Sequence, residues 1–192
     1  MSPINVKCII LGGRKVGKTS FYITYITKEF PTVYIPTVLD YYATDLHFND
    51  EDIEIELCET IQDEDAARLR HLEYPNTNVF IMAFAVNDES SYKEVESAWL
   101  PEVRKYEPNV PILLLGTKID LRSSNTNQDG WISTEMGDKL AEKYGLSKYM
   151  ECSSINSTNI DKVIDEAARI GAIHSQNAKK LRKNRRYYCS IL

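Results

Sequence analysis

The stretch VKCIILGGRKVGKTSFYITYIT, residues 6–27, decides the fold. Its first part, Val6 to Leu11, is a short apolar run that predicts a buried strand, and we expect a helix from about Lys18 to Thr27. Between them, the segment from Gly12 to Thr19 fits G-x-x-x-x-G-K-[ST], the pattern of a phosphate-binding loop. Its glycines let backbone N–H groups turn towards phosphate oxygens, and the following helix offers its N-terminus to the same negative charge. The stretch therefore predicts a phosphate site where a strand meets a helix.

Two side chains of this loop have specific expected parts. Lys18 is expected to reach the β and γ phosphates of a nucleotide, and the Thr19 hydroxyl is expected to ligate Mg²⁺. The candidate nucleotide contacts in this region are Gly12, Gly13, Arg14, Lys15, Val16, Gly17, Lys18, Thr19 and Ser20.

Further strands are predicted along the rest of the chain. Two alternating stretches, Tyr41 to Phe48 and Ile53 to Cys58, flank turn-forming residues and predict an antiparallel hairpin. Two continuous apolar runs, Val79 to Val86 and Ile112 to Gly116, are typical of strands buried on both faces. YMECSS, residues 149–154, predicts a last short strand.

Helical patterns alternate with these strands. We expect helices over residues 91–106 despite Pro101, from Thr134 to a capping glycine at Gly145, and on the amphipathic face from Ile160 to Gly171. The alternation favours an α/β sheet with helices on both faces.

The length and composition suit one compact domain with a short extension. The chain has 192 residues, of which 43% are hydrophobic, and its core pattern ends at about Ser175. We therefore predict a domain over residues 1–175 and a tail over residues 176–192. The longest apolar run is far too short to span a bilayer, and the N-terminus lacks a signal-peptide pattern, so we expect a protein made and kept in the cytosol.

The four cysteines are scattered and show no C-x-x-C spacing. Cys8, Cys58 and Cys152 lie in apolar or strand-like stretches. We expect these three to be reduced core residues rather than metal ligands or disulfide partners.

The net charge of −5 hides a difference between the body and the tail. No acid follows Glu166, and the tail contains six bases: Lys179, Lys180, Arg182, Lys183, Arg185 and Arg186. Without these six, the chain has 17 basic and 28 acidic side chains, a net charge of −11. An acidic body argues against a nucleic-acid-binding domain, whereas the basic tail predicts an anionic partner of its own.

A second motif, Thr117-Lys118-Ile119-Asp120, follows the apolar strand that starts at Ile112. Its side chains are expected at the carboxyl end of a strand, where α/β sheets bind ligands. A carboxylate there can accept hydrogen bonds from N1 and N2 of guanine, whereas adenine offers no such pair. Paired hydrogen bonds of this kind discriminate by roughly 10⁴ to 10⁵, so together with the phosphate loop the motif predicts GTP rather than ATP.

With these two motifs in place, the sequence resembles a small GTPase of the Rho/Rac family over nearly its whole length. The stretches that carry the resemblance are FPTVYIPTV, RLRHLEYPNTNVFIMAFAV, WLPEVRKYEPNVPILLLGTKIDLR, YMECSS and the terminal CSIL. The resemblance implies a small G domain with a phosphate loop: a six-stranded, mostly parallel sheet with one antiparallel edge hairpin.

The resemblance also implies further site residues. Phe30 is expected to pack against the guanine edge, Tyr34 to lie over the phosphates, and Thr37 to ligate Mg²⁺ while sensing the γ-phosphate. The base-contacting loop is expected at Ser153, Ser154 and Ile155. The first switch and effector surface are expected at Tyr34, Ile35, Pro36, Thr37, Val38, Leu39 and Asp40.

The second switch departs from the family's D-T-A-G-Q-E, because residues 59–64 read ETIQDE. Glu59 replaces an aspartate that steadies a magnesium-bound water, so a second-shell role in looser metal coordination is expected. Gln62 replaces a glycine whose backbone N–H meets the γ-phosphate of GTP. Because a side chain at this position obstructs close approach, we expect the GTP-dependent closure of the switch to be weakened. Asp63 replaces the glutamine that orients the attacking water and cannot donate as an amide does.

Arg14 and Asp63 therefore occupy the family's usual catalytic positions, but the catalytic residues themselves stay unassigned. The family has glycine at the position of Arg14, which leaves room for the glutamine and for an activating protein's arginine. A long side chain is expected to exclude both. Two other interpretations are Asp63 as a substitute general base and Arg14 as an internal arginine finger.

The end of the chain, Cys189-Ser190-Ile191-Leu192, fits C-a-a-X, and its terminal leucine favours geranylgeranylation of Cys189. One lipid binds a membrane marginally, so the six upstream bases are expected to supply a second signal at an anionic surface. The other interpretation is a free cysteine after a nuclear-localisation or RNA-binding tail. Residues 123–131 resemble a shortened form of the family's insertion helix, which puts partners of that helix in doubt.

The sequence thus predicts a membrane-anchored, Rho-like switch that binds GTP or GDP with Mg²⁺ and hydrolyses GTP poorly. By resemblance it acts on the actin cytoskeleton, binds effectors through its switches and exchange factors, resists activating proteins, and lies on the cytoplasmic face of a membrane with a cytosolic pool. The alternatives are an ordinary cycling GTPase and a nucleotide-free scaffold that kept the fold. An ATP-using kinase is disfavoured by Asp120.

Overall fold

The computed structural model describes residues 3–32, 41–48, 51–60, 69–124 and 130–189. Within these ranges six strands form one sheet with the order β2-β3-β1-β4-β5-β6. The strands are β1 (Ile4–Gly12), β2 (Tyr41–Phe48), β3 (Glu51–Glu59), β4 (Val79–Ala85), β5 (Ile112–Thr117) and β6 (Lys148–Glu151).

The described strands pair in parallel except at one edge, where β2 and β3 are antiparallel. In the central strand, Cys8 lies between Leu57 of β3 and Val79 of β4. The predicted fold class and its antiparallel edge hairpin are confirmed. Because β1, β3, β4, β5 and β6 run in the same direction, their carboxyl ends meet at one edge of the sheet.

The described helices are α1 (Lys18–Thr27), α2 (Glu89–Glu94), α3 (Leu100–Tyr106), α4 (Asp120–Ser124), α5 (Thr134–Lys143) and α6 (Ile160–Cys189), with a 3₁₀ turn at Arg70–Glu73. Among these residues no helix is both long and apolar enough to cross a membrane. The predicted helix over residues 91–106 is present, but a π turn, Val95–Trp99, separates α2 from α3. There the Leu100 N–H donates to the carbonyl oxygen of Val95, five residues earlier. Pro101, which has no N–H to donate, follows at once.

Helices cover both faces of the sheet, as predicted. On one face α1 and α6 bury residues such as Phe21 and Ile164 against Cys8. On the other face the segment from α2 to α3 buries Trp99 and Val103 against the sheet. Each face of the sheet therefore has its own apolar cluster, which holds the helices on that face in place.

The three cysteines predicted in the core are buried and free of disulfide bonds. Burial raises the pKa of Cys58 to about 11 and that of Cys152 to about 12, and it also raises the pKa of Cys8. These thiols stay protonated near neutral pH, which agrees with their expected structural role.

The last helix is longer than its apolar pattern predicted. The amphipathic face of α6 packs on the sheet through Ile160, Val163, Ile164, Ala167 and Ala168. The helix then continues to Cys189, past the predicted domain boundary at residue 175. No glycine or proline follows Gly171 to end it, and the segment around Lys179 is rich in helix-forming residues.

Candidate functional site

The phosphate loop follows β1 at the edge where the parallel strands end. Gly12 has φ of 142°, and a Cβ atom there would come 2.1 Å from the Ala83 carbonyl oxygen of β4, so only glycine fits. Gly17, with φ of 98°, precedes α1 directly. Lys15 between them also has a positive φ, 59°. The backbone thus folds tightly between strand and helix, in the arrangement that the motif predicts.

Lys18 is almost fully buried beneath this loop. Its Nζ donates to the carbonyl oxygens of Gly12, at 2.9 Å, and of Gly13, at 2.8 Å. Burial lowers the pKa of Lys18 to about 8, although the nearby carboxylates of Glu59 and Glu94 act to raise it. The amine therefore remains mostly cationic at pH 7, as phosphate binding requires.

Thr19 and Glu59 meet beside the loop. The Thr19 hydroxyl donates to Oε1 of Glu59 at 2.7 Å, which joins the first turn of α1 to the last residue of β3. Glu59 is buried, with 3% of its surface exposed. A hydroxyl and a carboxylate are hard oxygen donors of the kind that Mg²⁺ binds, so this pair fits the expected metal. Ser20 follows in α1 and is half-buried.

The second motif, Thr117 to Asp120, which we call the base-reading motif, is hydrogen-bonded to the phosphate loop. The Thr117 hydroxyl lies 2.5 Å from the carbonyl oxygen of Val16 and 3.0 Å from that of Phe84. The Lys118 Nζ donates to the carbonyl oxygen of Lys15 at 2.6 Å. Burial lowers the pKa of Lys118, while nearby carboxylates act to raise it. The two motifs, a hundred residues apart in sequence, form one surface.

Asp120 begins α4 next to the end of β6. The Ser153 hydroxyl donates to Oδ1 of Asp120 at 2.5 Å, and Ser153 is fully buried. This bond orients the carboxylate that the sequence assigns to guanine. Ser154 follows Ser153, Ile155 is 59% exposed, and Phe30 is 39% exposed beyond the end of α1. Both Ile155 and Phe30 therefore leave apolar surface exposed.

Other candidate residues lie outside the described ranges. They are the first switch and effector residues Tyr34 to Asp40, including Thr37, and the second-switch residues Gln62 and Asp63. Arg14 is described and is exposed at the turn of the phosphate loop. The backbone of Cys189 ends α6, and residues 190–192 are outside the description.

Two contacts near the loop involve residues that the sequence did not single out. The carboxylate of Glu94 lies against Gly13, since a Cβ atom at Gly13 would come 2.7 Å from its Oε2. Arg70 donates twice to Glu102, at 2.9 and 2.6 Å, and its guanidinium lies 4.6 Å from the centre of the Trp99 ring. Neither contact has a local sequence signal, because each joins segments more than 30 residues apart.

The chain is similar to known proteins over most of its length. Residues 7–172 match the Ras family. The chain is also 39% identical over 168 residues to the Ras-like GTP-binding protein RhoL of Drosophila melanogaster, an alignment that covers 88% of this chain and 87% of that protein. The range matched to the family contains the phosphate loop, the base-reading motif and residues 153–155.

Proposed function

Since the chain belongs to the Ras family of small GTP-binding proteins, we propose that it is a membrane-anchored, Rho-like switch that holds GTP or GDP with Mg²⁺ and hydrolyses GTP poorly. One observation carries the nucleotide-binding part of this proposal. The loop amine of Lys18, the Thr19–Glu59 pair and the Asp120–Ser153 pair lie along one edge of the sheet. One bound nucleotide could therefore reach the Lys18 amine, the Thr19 hydroxyl that would ligate Mg²⁺, and the Asp120 carboxylate that would contact the base.

The described residues divide the work of binding. Lys18 supplies positive charge to the phosphates, and the backbone N–H groups of the loop line their oxygens. Asp120, oriented by Ser153, accepts from the guanine edge. Thr117 and Lys118 hold the base-reading motif against the phosphate loop, so a bound nucleotide joins two segments that already contact each other.

Thr19 is the described residue that would ligate Mg²⁺, with Glu59 behind it as the partner of its hydroxyl. When bound, the ion would neutralise charge on the phosphate oxygens. Glu59 is one methylene longer than the aspartate common in the family, and it reaches the Thr19 hydroxyl directly. Its expected role is to orient the hydroxyl and the water molecules around the ion.

Poor hydrolysis is proposed from three residues: Arg14, Gln62 and Asp63. Arg14 is exposed at the turn of the phosphate loop, where its long side chain obstructs the approach of a partner's arginine. Asp63 lacks the amide donor that orients water, and Gln62 adds a side chain where close backbone approach is needed. Intrinsic hydrolysis in this class is only about 10⁻⁴ s⁻¹, and partners raise it by up to about 10⁵, so these changes remove most of the attainable rate.

The membrane anchor is proposed from the tail. Six basic residues precede Cys189, which heads a C-a-a-X sequence. A geranylgeranyl group on Cys189 together with these charges gives the two signals that stable membrane binding needs. Effectors and exchange factors would approach the switches, and action on the actin cytoskeleton is proposed from the resemblance of the sequence to the Rho/Rac family.

Single-turnover hydrolysis tests the proposal. The full chain is loaded with GTP and Mg²⁺, and phosphate release is followed with and without a Rho-type activating protein. We expect a slow rate that the activating protein leaves unchanged, and acceleration only in the triple variant Arg14→Gly, Gln62→Gly, Asp63→Gln. Acceleration of the unaltered protein would contradict poor hydrolysis, and lack of saturable GTP binding would contradict the switch itself.

Vesicle binding tests the anchor. Prenylated full-length protein is mixed with vesicles of phosphatidylcholine alone or with phosphatidylserine. We expect strong binding only to the anionic vesicles, and loss of that binding in Cys189→Ser. Equal binding of Cys189→Ser and the unaltered protein would contradict the proposed lipid anchor.

A further inference from the structure

The last residue of α2, Glu94, touches the phosphate loop from outside both nucleotide motifs. An ideal Cβ atom on Gly13 would lie 2.7 Å from Oε2 of Glu94 and 3.7 Å from its Cδ. The carboxylate thus lies directly against the backbone of Gly13. The register of β1 and β4 explains the contact, because Gly12 is paired with Ala83 and α2 begins soon after β4 ends.

The charge of Glu94 acts on the same amine that serves the phosphates. The Lys18 amine donates to the carbonyl oxygen of Gly13 at 2.8 Å, so this amine and the carboxylate of Glu94 both lie beside Gly13. The carboxylate of Glu59 also lies near the Lys18 amine, but it accepts a hydrogen bond from Thr19, where the metal is expected. The charge of Glu94 instead lies beside Gly13, the residue that precedes Arg14 in the sequence.

We infer that Glu94 is a specificity-determining residue for the number of phosphates: its negative charge beside Gly13 lowers the affinity for GTP more than that for GDP. The physical reason is charge repulsion, since the terminal phosphate of GTP brings extra negative charge to this loop. The inference rests on the proposed function, because it requires that the site binds guanine nucleotides.

The expected size of the effect follows from the partial exposure of Glu94. Two like charges near a protein surface interact through a mixture of protein and water, and salt screens them further. Removing one such charge is expected to raise the GTP affinity roughly threefold to tenfold relative to the GDP affinity. Arg14 has the opposite charge, so Arg14→Gly is expected to shift the same ratio in the opposite direction.

The test compares Glu94→Gln with a matched control, Glu89→Gln. Both changes remove one acid from α2, but Glu89 is exposed and its carboxylate pairs with Lys93 at 2.8 Å. Dissociation constants of fluorescent GTP and GDP are measured on the full chain with saturating Mg²⁺, at low and at high salt. Thermal unfolding of each variant reports whether the fold is intact.

We expect Glu94→Gln to raise the ratio of GTP to GDP affinity, to do so less at high salt, and to leave the melting temperature unchanged. Glu94→Ala, which also removes the charge, should shift the ratio in the same direction. An unchanged ratio, an equal shift in Glu89→Gln, or an equal gain for both nucleotides would overturn the inference. If the unaltered protein binds neither nucleotide, both the proposed function and this inference fail. If it binds both nucleotides but Glu94→Gln leaves the ratio of GTP to GDP affinity unchanged, only this inference fails.

Discussion

The hydroxyl of Thr19 donates a hydrogen bond to the carboxylate of Glu59 across 2.7 Å. The two residues are 40 positions apart, and the bond joins the phosphate-loop helix to the strand that leads into the second switch. The residue proposed to ligate Mg²⁺ is therefore in direct contact with the residue that begins the expected second switch. This linkage makes Glu59 the first residue to alter.

Glu59→Gln is expected to weaken Mg²⁺ binding to the nucleotide-loaded protein by about 10-fold to 100-fold, the usual cost of losing a residue that orients a metal ligand. The neutral amide can still accept from Thr19 but no longer balances the cation. The measurement is the rate of nucleotide release during a Mg²⁺ titration. Glu54→Gln, in the same strand, is the control and should leave the titration unchanged. Identical Mg²⁺ midpoints for Glu59→Gln and the unaltered protein would exclude a role of Glu59 at the metal.

Asp120→Ala is expected to reduce GTP affinity by at least about 100-fold and to leave the weak binding of ATP unaltered, since paired hydrogen bonds to the base are lost. Competition between GTP and ATP for a fluorescent nucleotide measures both effects. Ser153→Ala keeps the carboxylate but removes its 2.5 Å donor, so a smaller loss, roughly tenfold, is expected. Retained guanine selectivity in Asp120→Ala would show that another residue reads the base.

The lowered pKa of Lys18, about 8, predicts a pH dependence of nucleotide binding. Phosphate favours the protonated amine, so affinity should fall as the pH rises through 8, by roughly fourfold between pH 7 and 8.5. GDP affinity over this range measures the effect. The Lys18→Arg variant keeps its positive charge at all these pH values. It should bind GDP more weakly, and its affinity should change with pH only as far as the phosphates of the nucleotide themselves titrate. A flat profile for the unaltered protein would contradict the lowered pKa.

The same shift affects folding. In the protein without nucleotide, the folded pKa of Lys18 lies below the value of 10.5 expected for the unfolded chain. The unfolded chain therefore binds more protons between these two values, and the free energy of unfolding should rise with pH over that interval. Urea unfolding at a series of pH values, again compared with Lys18→Arg, measures this contribution.

Glu102→Ala is expected to destabilise the protein by about 2 to 3 kcal/mol, because it leaves Arg70 largely buried without its partner. The loss is below that of a fully buried pair, since the Glu102 side chain is 25% exposed and that of Arg70 is 10% exposed. Urea unfolding measures it. Glu89→Ala, which breaks an exposed pair with Lys93, should cost at most about 0.5 kcal/mol. Equal losses in the two variants would contradict the structural role of the Arg70–Glu102 pair.

The local patterns of the sequence predicted most of the fold. The run from Val6 to Leu11 gave a central strand, Gly145 has the positive φ of 59° expected of a helix-capping glycine, and the apolar runs at Val79 and Ile112 are buried strands. These features depend on hydrophobic period and turn chemistry within a few residues. The π turn before Pro101 was not predicted, because the pattern shows only that the helix continues.

The long-range contacts in and near the site could not be predicted from the sequence, for a different reason. The Glu94 contact with Gly13 and the pairing of Arg70 with Glu102 depend on strand register and on how α2 and α3 pack against the sheet. The motifs named Lys18, Thr19 and Asp120 as ligand contacts. They did not show that Glu59 meets Thr19 directly or that Lys118 holds the phosphate loop, since both require three-dimensional proximity.

The helix α6 continues without interruption from its packed face to Cys189. At 1.5 Å per residue, its course from Ser175 to Cys189 advances about 21 Å. A lipid on Cys189 would then be joined to the domain by a stalk with a fixed direction instead of a freely jointed tether. Such a stalk would limit the tilt of the proposed nucleotide site above a bilayer, so anchoring would also determine which surface of the domain faces its partners.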